Sequence, residues 1–253
     1  MIDIHCHILP FIDDGPKSID DSIEMLRYAE KDGIKSIIAT PHSFNGVYIC
    51  TSNTVKKSIE RLQYEINNNK LSITLFPGME VHLCEQLYQK IIEKTVVSLN
   101  NSRYILIELP VQFVPPNFKE IIFKLRLKGY YPILAHPERN FVVLNDPEII
   151  YDFIEWGVFI QLTAASVLGF FGSKIQRLCK KMLLNRQVHF LASDAHSLEN
   201  RPPALSEAYK KALQLLKDEK YAKTLIYDNP KKVIDDTSID IYEPIRKKRF
   251  FIF

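Results

Sequence analysis

Cysteine is scarce in this sequence, and long apolar runs are missing. Four cysteines occur among 253 residues, without a C-x-x-C pair or regular spacing: Cys6, Cys50, Cys84 and Cys179. This pattern excludes a disulfide framework and a structural zinc ribbon, and it favours a reducing cytoplasm. No stretch approaches the roughly 18 apolar residues of a membrane-spanning helix, and the opening residues lack the features of a secretion signal. We therefore expect a cytoplasmic protein without a membrane span.

An excess of charge of one sign is also missing. The 33 basic and 30 acidic residues are interspersed, and the formal net charge is only +3. Because a nucleic-acid-binding surface needs a basic patch, this pattern argues against nucleic acid as a partner. With 46% hydrophobic residues the chain can bury a large core, and no linker or low-complexity segment divides it. We predict a single domain over residues 1–253.

The last residues, at about 242–253, form a basic and aromatic tail. It reads Arg246-Lys-Lys-Arg249 and then Phe-Phe-Ile-Phe253. Basic segments with apolar residues bind acidic membrane surfaces, so a peripheral membrane contact is one interpretation. The alternative is that the tail docks on its own domain.

Short apolar runs alternate with helical patterns along the chain. The predicted strands cover residues 1–7, 36–39, 73–76, 104–108, 131–135, 158–162 and 188–192. The predicted helices cover residues 18–31, 53–69, 85–94, 117–128, 147–156, 173–185, 205–216 and a short stretch from Pro230. In the clearest helix, Ser18 and Asp21 have the spacing of a capping box, and the pattern ends before Gly33. Such alternation predicts an α/β fold with one seven-unit (β/α) barrel rather than an open sheet.

Residue types that bind metals lie at the ends of these strands. His5 and His7 flank Cys6 on the first strand, so their imidazoles point to the same side. The candidate ligands are His5, His7, Asp14, His42, Glu80, Glu108, His136, Asp194 and His196. Such groups would repel or desolvate one another at one barrel mouth unless cations neutralised them, and nine ligands are too many for one ion. The sequence thus predicts two or three bridged metals, to which strand 158–162 contributes no ligand.

The motifs that carry these residues resemble those of the PHP (polymerase and histidinol phosphatase) superfamily. They are His5-x-His7 with Asp14, Thr40-Pro41-His42, Glu80, Glu108, His136-Pro137-Glu138-Arg139 and Ser193-Asp194-Ala195-His196. Residues 1–15 are similar to the start of the bacterial tyrosine-protein phosphatases of capsular and extracellular polysaccharide operons, the CpsB/YwqE type. The resemblance spans residues 1 to about 205 and implies a distorted TIM-like barrel of the PHP kind.

The resemblance also implies three divalent ions, usually described as manganese. The implied ligand sets are His5, His7, Glu80 and Asp194 for one ion, Glu80, Glu108 and His136 for a second, and Asp14, His42 and His196 for the third. From the residues alone the metal stays open, because imidazole and carboxylate ligands accept Mn, Fe, Co or Zn.

The implied activity is hydrolysis of phosphotyrosine on a bacterial tyrosine autokinase that controls capsular or extracellular polysaccharide synthesis. Bridged cations acidify bound water and screen phosphoryl oxygens, which suits this chemistry. A thiol-dependent tyrosine phosphatase needs an arginine six positions after its cysteine. Those positions hold Ile12, Lys56, Lys90 and Asn185, so the sequence excludes that mechanism.

Two arginines close to ligand motifs are candidates for binding phosphate. Arg139 lies three residues after His136, and Arg201 lies five residues after His196. A guanidinium donates a bidentate fork that matches phosphate oxygens, although a surface salt bridge is the simpler role. With the ligands His42 and His196, these arginines are the candidate catalytic residues.

Three other residues near the candidate ligands each have two alternative roles. Phe44 and Tyr48 follow His42 and could enclose the phenyl ring of a substrate, or merely pack a loop onto the barrel. His82 is the spare candidate for a general acid, with a supporting or surface role as the alternative. A phenolate leaves with little proton donation, because the pKa of tyrosine is about 10.

Two rival functions remain. The first is a phosphatase of a small phosphomonoester such as histidinol phosphate, which a preference for free alkyl phosphates over phosphotyrosine peptides would favour. The second is a non-catalytic or nucleic-acid-processing module. The complete ligand set argues against a non-catalytic module, and the lack of a basic stripe with interleaved aromatics argues against nucleic acid.

Overall fold

The computed structural model describes residues 1–240 and 243–246, which form short parallel strands surrounded by helices. The strand segments are β1 (Ile2–Cys6), β2 (Ser36–Ala39), β3 (His42–Ser43), β4 (Thr74–Pro77), β5 (Glu80–His82), β6 (Tyr104–Glu108), β7 (Tyr131–Ala135), β8 (Phe159–Thr163) and β9 (Phe190–Ala192). The α-helices are α1 (Ile19–Asp32), α2 (Ser52–Asn68), α3 (Leu87–Ile92), α4 (Phe118–Leu127), α5 (Phe141–Asn145), α6 (Ile149–Glu155), α7 (Ala164–Leu168), α8 (Ser173–Leu184), α9 (Ser206–Leu216), α10 (Glu219–Lys223) and α11 (Asn229–Ile234). None of the described helices has the length and apolar character needed to cross a membrane.

The strand segments form an interrupted barrel in which every pairing is parallel. One sheet has the order β1-β2-β4, and the other has the order β3-β5-β6-β7-β8-β9. The chain passes from the first sheet to the second at Pro41, between β2 and β3, and at Gly78, between β4 and β5. Proline cannot donate to a ladder, and a β-carbon at position 78 would lie 2.9 Å from side-chain atoms of both Ile38 and Leu99. The second and third barrel strands are therefore each bent into two segments.

Backbone hydrogen bonds between β1 and the residues after β9 close the barrel. The Asp194 amide donates to the carbonyl of His5, and the His7 amide donates to the carbonyl of Ala195, both at 2.8 Å. Counting each bent strand once, seven strands surround the axis. The predicted distorted (β/α)7 barrel is confirmed.

The predicted and observed elements differ mainly in where they begin and end and in the shortest strands and helices, which the sequence did not predict. Strands β2, β6 and β7 have the predicted bounds, whereas β1 and β9 are shorter than the predicted ranges 1–7 and 188–192. The sequence did not predict β3, β5, α5, α7 or α10. These elements have five residues or fewer, too few to show a hydrophobic period.

Helix α1 begins and ends at the predicted signals. The Ser18 side chain accepts a hydrogen bond from the Asp21 amide at 3.0 Å, which satisfies a donor that the helix itself leaves unpaired. At the other end Gly33 has a φ of 92°, and its amide donates to the carbonyl of Glu30. A left-handed residue at this position favours glycine.

Apolar residues form two clusters, one between strands and helices and one among the strands. The second cluster includes Tyr104 and Leu106 of β6 and Phe159 of β8. Because side chains alternate along a strand, Leu106 shares a face with Glu108, and Phe159 shares a face with Gln161. The apolar cluster and the polar side chains at the strand ends therefore occupy the same strand faces. The cluster lies directly below the end of the barrel where the candidate ligands meet.

The described part of the C-terminal tail docks on the domain. The Tyr151 hydroxyl donates to the carbonyl of Ile245 at 2.9 Å, and the Ile245 amide donates to the carbonyl of Asn185 at 2.8 Å. The Arg246 guanidinium lies 2.7 Å from the carboxylate of Glu155. Residues 241–242 and 247–253, on which the rest of the tail prediction falls, lie outside the described residues.

A buried histidine at the start of β9 makes stability depend on pH. Burial lowers the pKa of His189 to about 3, and its Nδ1 accepts a hydrogen bond from the Ile160 amide at 3.0 Å. An unfolded histidine titrates near pH 6.5, so the unfolded state binds more protons below that pH. The free energy of unfolding therefore falls as pH drops from 6.5 towards 3.

We expect His189→Asn to remove this dependence while keeping an acceptor for the Ile160 amide. Between pH 7.5 and 5.5 the wild type should lose about 1.4 kcal/mol more unfolding free energy than the variant. Urea unfolding at both pH values measures the difference. Equal losses in the two proteins would show that His189 does not titrate in this way.

Candidate metal centre

The buried Glu80 carboxylate lies at the centre of four imidazoles. Its Oε2 is 2.8 Å from His42 Nδ1, 3.3 Å from His7 Nε2 and 3.4 Å from His5 Nε2. Its Oε1 is 2.7 Å from His136 Nε2. Burial alone would raise the pKa of Glu80, but the surrounding imidazoles hold it well below its usual range. The carboxylate is therefore ionised although only 1% of the residue is exposed.

A second buried carboxylate, Asp194, lies two residues after β9 and faces two of the same imidazoles, together with His196. Its Oδ1 lies 3.4 Å from His5 Nε2, 3.6 Å from His7 Nε2 and 3.7 Å from His196 Nδ1. The Nε2 atoms of His5 and His7 are 3.2 Å apart, which agrees with the prediction that both rings point to one side of β1. The two carboxylates thus share the imidazoles of His5 and His7, and together they contact five imidazoles.

The outer part of the cluster contains Asp14 and Glu108. The Asp14 Oδ1 atom lies 3.4 Å from His196 Nε2 and 3.6 Å from His42 Nε2. The two oxygens of Glu108 lie 3.9 Å from His42 Nδ1 and from His136 Nε2. These contacts complete the predicted set of nine residues in one cluster.

The described residues contain four groups of candidate ligands. Within each group the ligand atoms all lie within 4.8 Å of one another. They are His7 with Asp14, His42 and His196; His5 with His7 and Glu80; His5 with His136 and Asp194; and His42 with Glu80 and Glu108. Every one of the nine predicted ligands belongs to at least one group.

Three histidines are oriented by hydrogen bonds at Nδ1, so that Nε2 faces the cluster. His5 Nδ1 contacts Gln161 Oε1 at 2.9 Å, His7 Nδ1 contacts Asp13 Oδ2 at 2.7 Å, and His196 Nδ1 contacts the carbonyl of Asp194 at 3.0 Å. An oxygen acceptor at Nδ1 places the proton there and leaves the Nε2 lone pair free for a cation.

The sequence analysis missed two of these supporting residues. It selected Asp14 from the pair Asp13-Asp14, yet Asp13 also accepts from the His42 amide at 2.9 Å and thereby fixes a second ligand. It assigned no role to strand 158–162, although Gln161 of β8 holds His5. The signal available in the sequence was a glutamine within the apolar strand Phe-Ile-Gln-Leu-Thr. The structure buries this glutamine completely.

The backbone is left-handed at two strand ends that carry candidate ligands. His136, directly after β7, has a φ of 32°, and Asp194, two residues after β9, has a φ of 53°. Non-glycine residues rarely adopt such angles, and they occur often at functional sites. The Ser193 amide and hydroxyl donate to the buried carboxylate of Asp3, which fixes the segment before Asp194.

The cluster has the electrostatic character of a cation site. Burial lowers the pKa of His7, but the carboxylates of Asp13 and Glu80 outweigh it and raise that pKa to about 10. For His196, burial and the neighbouring His7 lower the pKa to about 4, so this ring is neutral at pH 7. A negative potential strong enough to hold a proton on one imidazole also attracts a divalent cation.

Unpaired atoms at the centre of the cluster support the same interpretation. Among the described residues, His42 Nδ1, Glu80 Oε2 and His196 Nε2 are buried without a hydrogen-bond partner, although His42 Nδ1 and Glu80 Oε2 are only 2.8 Å apart. Buried polar atoms are normally paired, since an unpaired one costs about 1–3 kcal/mol. Imidazole nitrogens and carboxylate oxygens are also the ligands that Mn, Fe, Co and Zn accept, so the residues fit divalent cations.

Both predicted phosphate-binding arginines lie beside this cluster. Arg139 Nη2 and Arg201 Nη1 lie 2.9 and 3.3 Å from Asp194 Oδ2, on the carboxylate edge that faces away from the imidazoles. They line a cleft of about 290 Å³ whose wall also includes His42, Glu108 and His136. The arginines are therefore ion-paired, but they remain open to this cleft.

The other predicted site residues have different surroundings. The Tyr48 ring is stacked parallel to His42 with 6.1 Å between the ring centres. Phe44 is half-buried beneath the ammonium of Lys90, 4.1 Å from its ring centre, and does not belong to the cleft lining. His82 Nδ1 lies 3.3 Å from Glu108 Oε2, which places this histidine next to a candidate ligand.

Known proteins are similar to this chain in both sequence and architecture. The family model for capsular polysaccharide synthesis, CpsB/CapC, matches residues 1–235. The putative tyrosine-protein phosphatase CapC of Staphylococcus aureus is 39% identical over 83% of this chain and 82% of its own length. The tyrosine-protein phosphatase YwqE of Bacillus subtilis is 39% identical over 79% of each chain.

Solved structures agree with this relationship. One crystal structure, from work on YwqE of Bacillus subtilis and CpsB of Streptococcus pneumoniae as unique metal-dependent tyrosine phosphatases, matches with a TM-score of 0.91 at 35% identity and covers 98% of this chain and all of its own. The lactonase Lmo2620 of Listeria monocytogenes, with a TM-score of 0.57 at 11% identity, shares the fold alone. The chain therefore belongs to the CpsB/CapC family of capsular polysaccharide synthesis proteins.

Proposed function

We propose that this protein is a metal-dependent protein-tyrosine phosphatase. The observation that carries the proposal is the convergence of nine ligand-type side chains, among them the buried Glu80 and Asp194, with two arginines at the open side of the same cleft. Metal ligands and guanidinium groups in one cleft suit a phosphate ester better than an uncharged substrate. The named activity of the family relatives supports the same reaction.

The cluster would hold three divalent ions, with manganese as the first choice. We assign His5, His7, Glu80 and Asp194 to one ion, Glu80, Glu108 and His136 to a second, and Asp14, His42 and His196 to the third. When bound, such ions acidify water and screen the charge of phosphoryl oxygens. Gln161 and Asp13 keep the Nε2 atoms of His5 and His7 available for this role.

Arg139 and Arg201 bind the phosphoryl oxygens on the solvent side of the cleft. Asp194 holds both guanidinium groups in place through Oδ2, so little rotamer freedom remains to be lost when a phosphate binds. The pKa of Arg139 is raised because Asp194 and neighbouring carboxylates outweigh its burial, so the guanidinium stays charged. His42 and His196 complete the catalytic set as ligands that border the substrate.

The substrate we assign is phosphotyrosine on a bacterial tyrosine autokinase of capsular or extracellular polysaccharide synthesis, in the cytoplasm. The phenolate of tyrosine leaves readily because its pKa is about 10, so a strong general acid is not required. Comparison of kcat/KM for phosphotyrosine peptides and for histidinol phosphate tests the substrate class. Faster hydrolysis of histidinol phosphate would overturn the assignment to tyrosine.

We expect His136→Ala to remove one ligand of the cluster and nearly abolish phosphatase activity. The imidazole contacts the carboxylates of both Glu80 and Glu108, so its loss removes a shared partner of these two groups. The loss of a ligand should lower the metal content. Elemental analysis and turnover of p-nitrophenyl phosphate measure these effects. Circular dichroism serves as the control for folding, and full metal content with normal turnover would contradict the ligand assignment.

We expect Arg139→Ala and Arg201→Ala each to lower kcat/KM for aryl phosphates about ten- to a hundredfold. The basis is that one charge-assisted hydrogen bond contributes about 1.5–3 kcal/mol. Lysine at either position should restore only part of the loss, because a point charge cannot replace the bidentate fork. Inorganic phosphate should inhibit both alanine variants less than the wild type.

Metal content separates this role from a structural one. Both arginines contact the candidate ligand Asp194, so elemental analysis must accompany the kinetics. Arg27→Ala, on α1, is the matched control because the partners of Arg27, Glu24 and Asn69, do not line the cleft. Unchanged phosphate inhibition, or loss of metal in the alanine variants, would contradict direct phosphate binding.

We expect chelators to inactivate the enzyme reversibly and thiol alkylation to leave it active. Burial raises the pKa of Cys50 to about 12 and also raises the pKa of Cys6 and of Cys179, so these thiols stay protonated at neutral pH. Activity after EDTA and after iodoacetamide, followed by added Mn²⁺, measures both effects. Inactivation by stoichiometric alkylation of one cysteine would contradict a metal-dependent mechanism.

A further inference from the structure

Exposed apolar side chains lie along one side of the cleft mouth. Val111, Phe113, Phe141 and Phe170 are 61, 53, 57 and 77% exposed, and we refer to these four residues as the apolar wall. Val111 itself lines the cleft together with Arg139. Apolar side chains that cluster in this way next to a binding cavity mark a contact surface.

A buried amide fixes part of the wall to the phosphate side of the cleft. Asn140 directly follows Arg139, and its Nδ2 donates to the carbonyls of Pro110 and Phe113 at 2.7 and 3.1 Å. Its Oδ1 accepts from two amides at the start of α5. One side chain thus connects the arginine, the loop that carries Phe113 and the helix that begins at Phe141.

The remaining wall residues are also held by backbone contacts. The Phe141 amide donates to the carbonyl of Val111 at 2.8 Å. Phe170 lies in a tight turn after α7, in which the Gly172 amide donates to the carbonyl of Gly169 at 3.0 Å. The next residue, Phe171, places its ring 5.3 Å from the Arg139 guanidinium, which brings this turn to the same side of the cleft.

The opposite side of the cleft has a different character. A second groove begins at Asp14 and His196 and is lined mainly by polar and charged side chains, among them Lys17, Asp21, Glu24 and Glu199. Substrate residues on the two sides of a bound phosphate therefore meet surfaces of contrasting polarity. The wall side offers apolar surface to a neighbouring side chain of the substrate, whereas the groove at Asp14 and His196 offers mainly polar and charged groups.

We propose that the apolar wall binds an apolar or aromatic side chain next to the phosphotyrosine in a protein substrate. The proposal rests on the proposed phosphatase function and specifies the substrate for the same site. Side chains of an extended chain alternate between two faces, so the residue two positions from the phosphotyrosine, about 6.6 Å away, points to the same side and lies within reach of the cleft rim. Aromatic side chains pack favourably against phenylalanine, which selects such neighbours over polar ones.

The experiment compares two phosphotyrosine peptides of equal length and charge, with phenylalanine or with serine at the two positions on each side of the phosphotyrosine. The test variant combines Phe113→Ala and Phe170→Ala. The matched control combines Phe123→Ala and Leu127→Ala, which remove equally exposed apolar side chains from α4. The measured quantity is the ratio of kcat/KM for the two peptides, so a partial loss of folded enzyme cancels.

We expect the wild type and the control to prefer the phenylalanine peptide at least tenfold, mainly through KM, and the wall variant to prefer it less than twofold. A wild type without preference, or a wall variant that keeps it, would overturn the proposal. Hydrolysis of p-nitrophenyl phosphate with added Mn²⁺ is measured in parallel. If the wild type hydrolyses neither this compound nor either peptide, the proposed phosphatase function itself is wrong.

Discussion

The burial of two ionised carboxylates among histidines is the constraint on which this site depends. Glu80 and Asp194 are almost completely shielded from water, and an isolated charge in that position would be very unfavourable. The chain surrounds them with five imidazoles and two guanidinium groups rather than with apolar residues. Cations at the centre would satisfy atoms that these side chains leave without partners.

The irregular parts of the barrel are the parts that place the ligands. Pro41 interrupts the second strand just before His42, and the break at Gly78 precedes Glu80, so both side chains belong to short segments that pair with each other. The left-handed backbone at Asp194 similarly turns a carboxylate inward at the end of a strand. A regular barrel would continue these strands outward and leave the ligands further apart.

The sequence predicted which side chains meet at the barrel mouth because their positions follow from the fold class. Once strands alternate with helices, residues after strand ends must meet at one barrel mouth, and His42 or Glu108 can be identified there without a structure. The supporting residues follow no such rule. Gln161 contacts His5 across 156 positions of the sequence, and Asp13 differs from Asp14 only in the direction that its loop gives to the side chain.

The arginines also show where prediction from the sequence ends. Their spacing from His136 and His196 indicated that they lie near the cluster, but not that Asp194 would hold both of them. A contact of this kind depends on the rotamers of three side chains that follow two different strands, β7 and β9. Elements of five residues or fewer, such as α5 and α7, could not be predicted for a different reason, because a hydrophobic period needs a longer window.

The closing seam of the barrel has a consequence for biosynthesis. The two hydrogen bonds that join the end of β1 to the residues after β9 pair His5 with Asp194 and His7 with Ala195, so the first and last strands that carry candidate ligands meet at this seam. During translation, a nascent chain carries His5 and His7 long before Asp194 and His196 leave the ribosome. A complete metal site would therefore form only after closure of the barrel, and bound ions would stabilise chains that have finished folding.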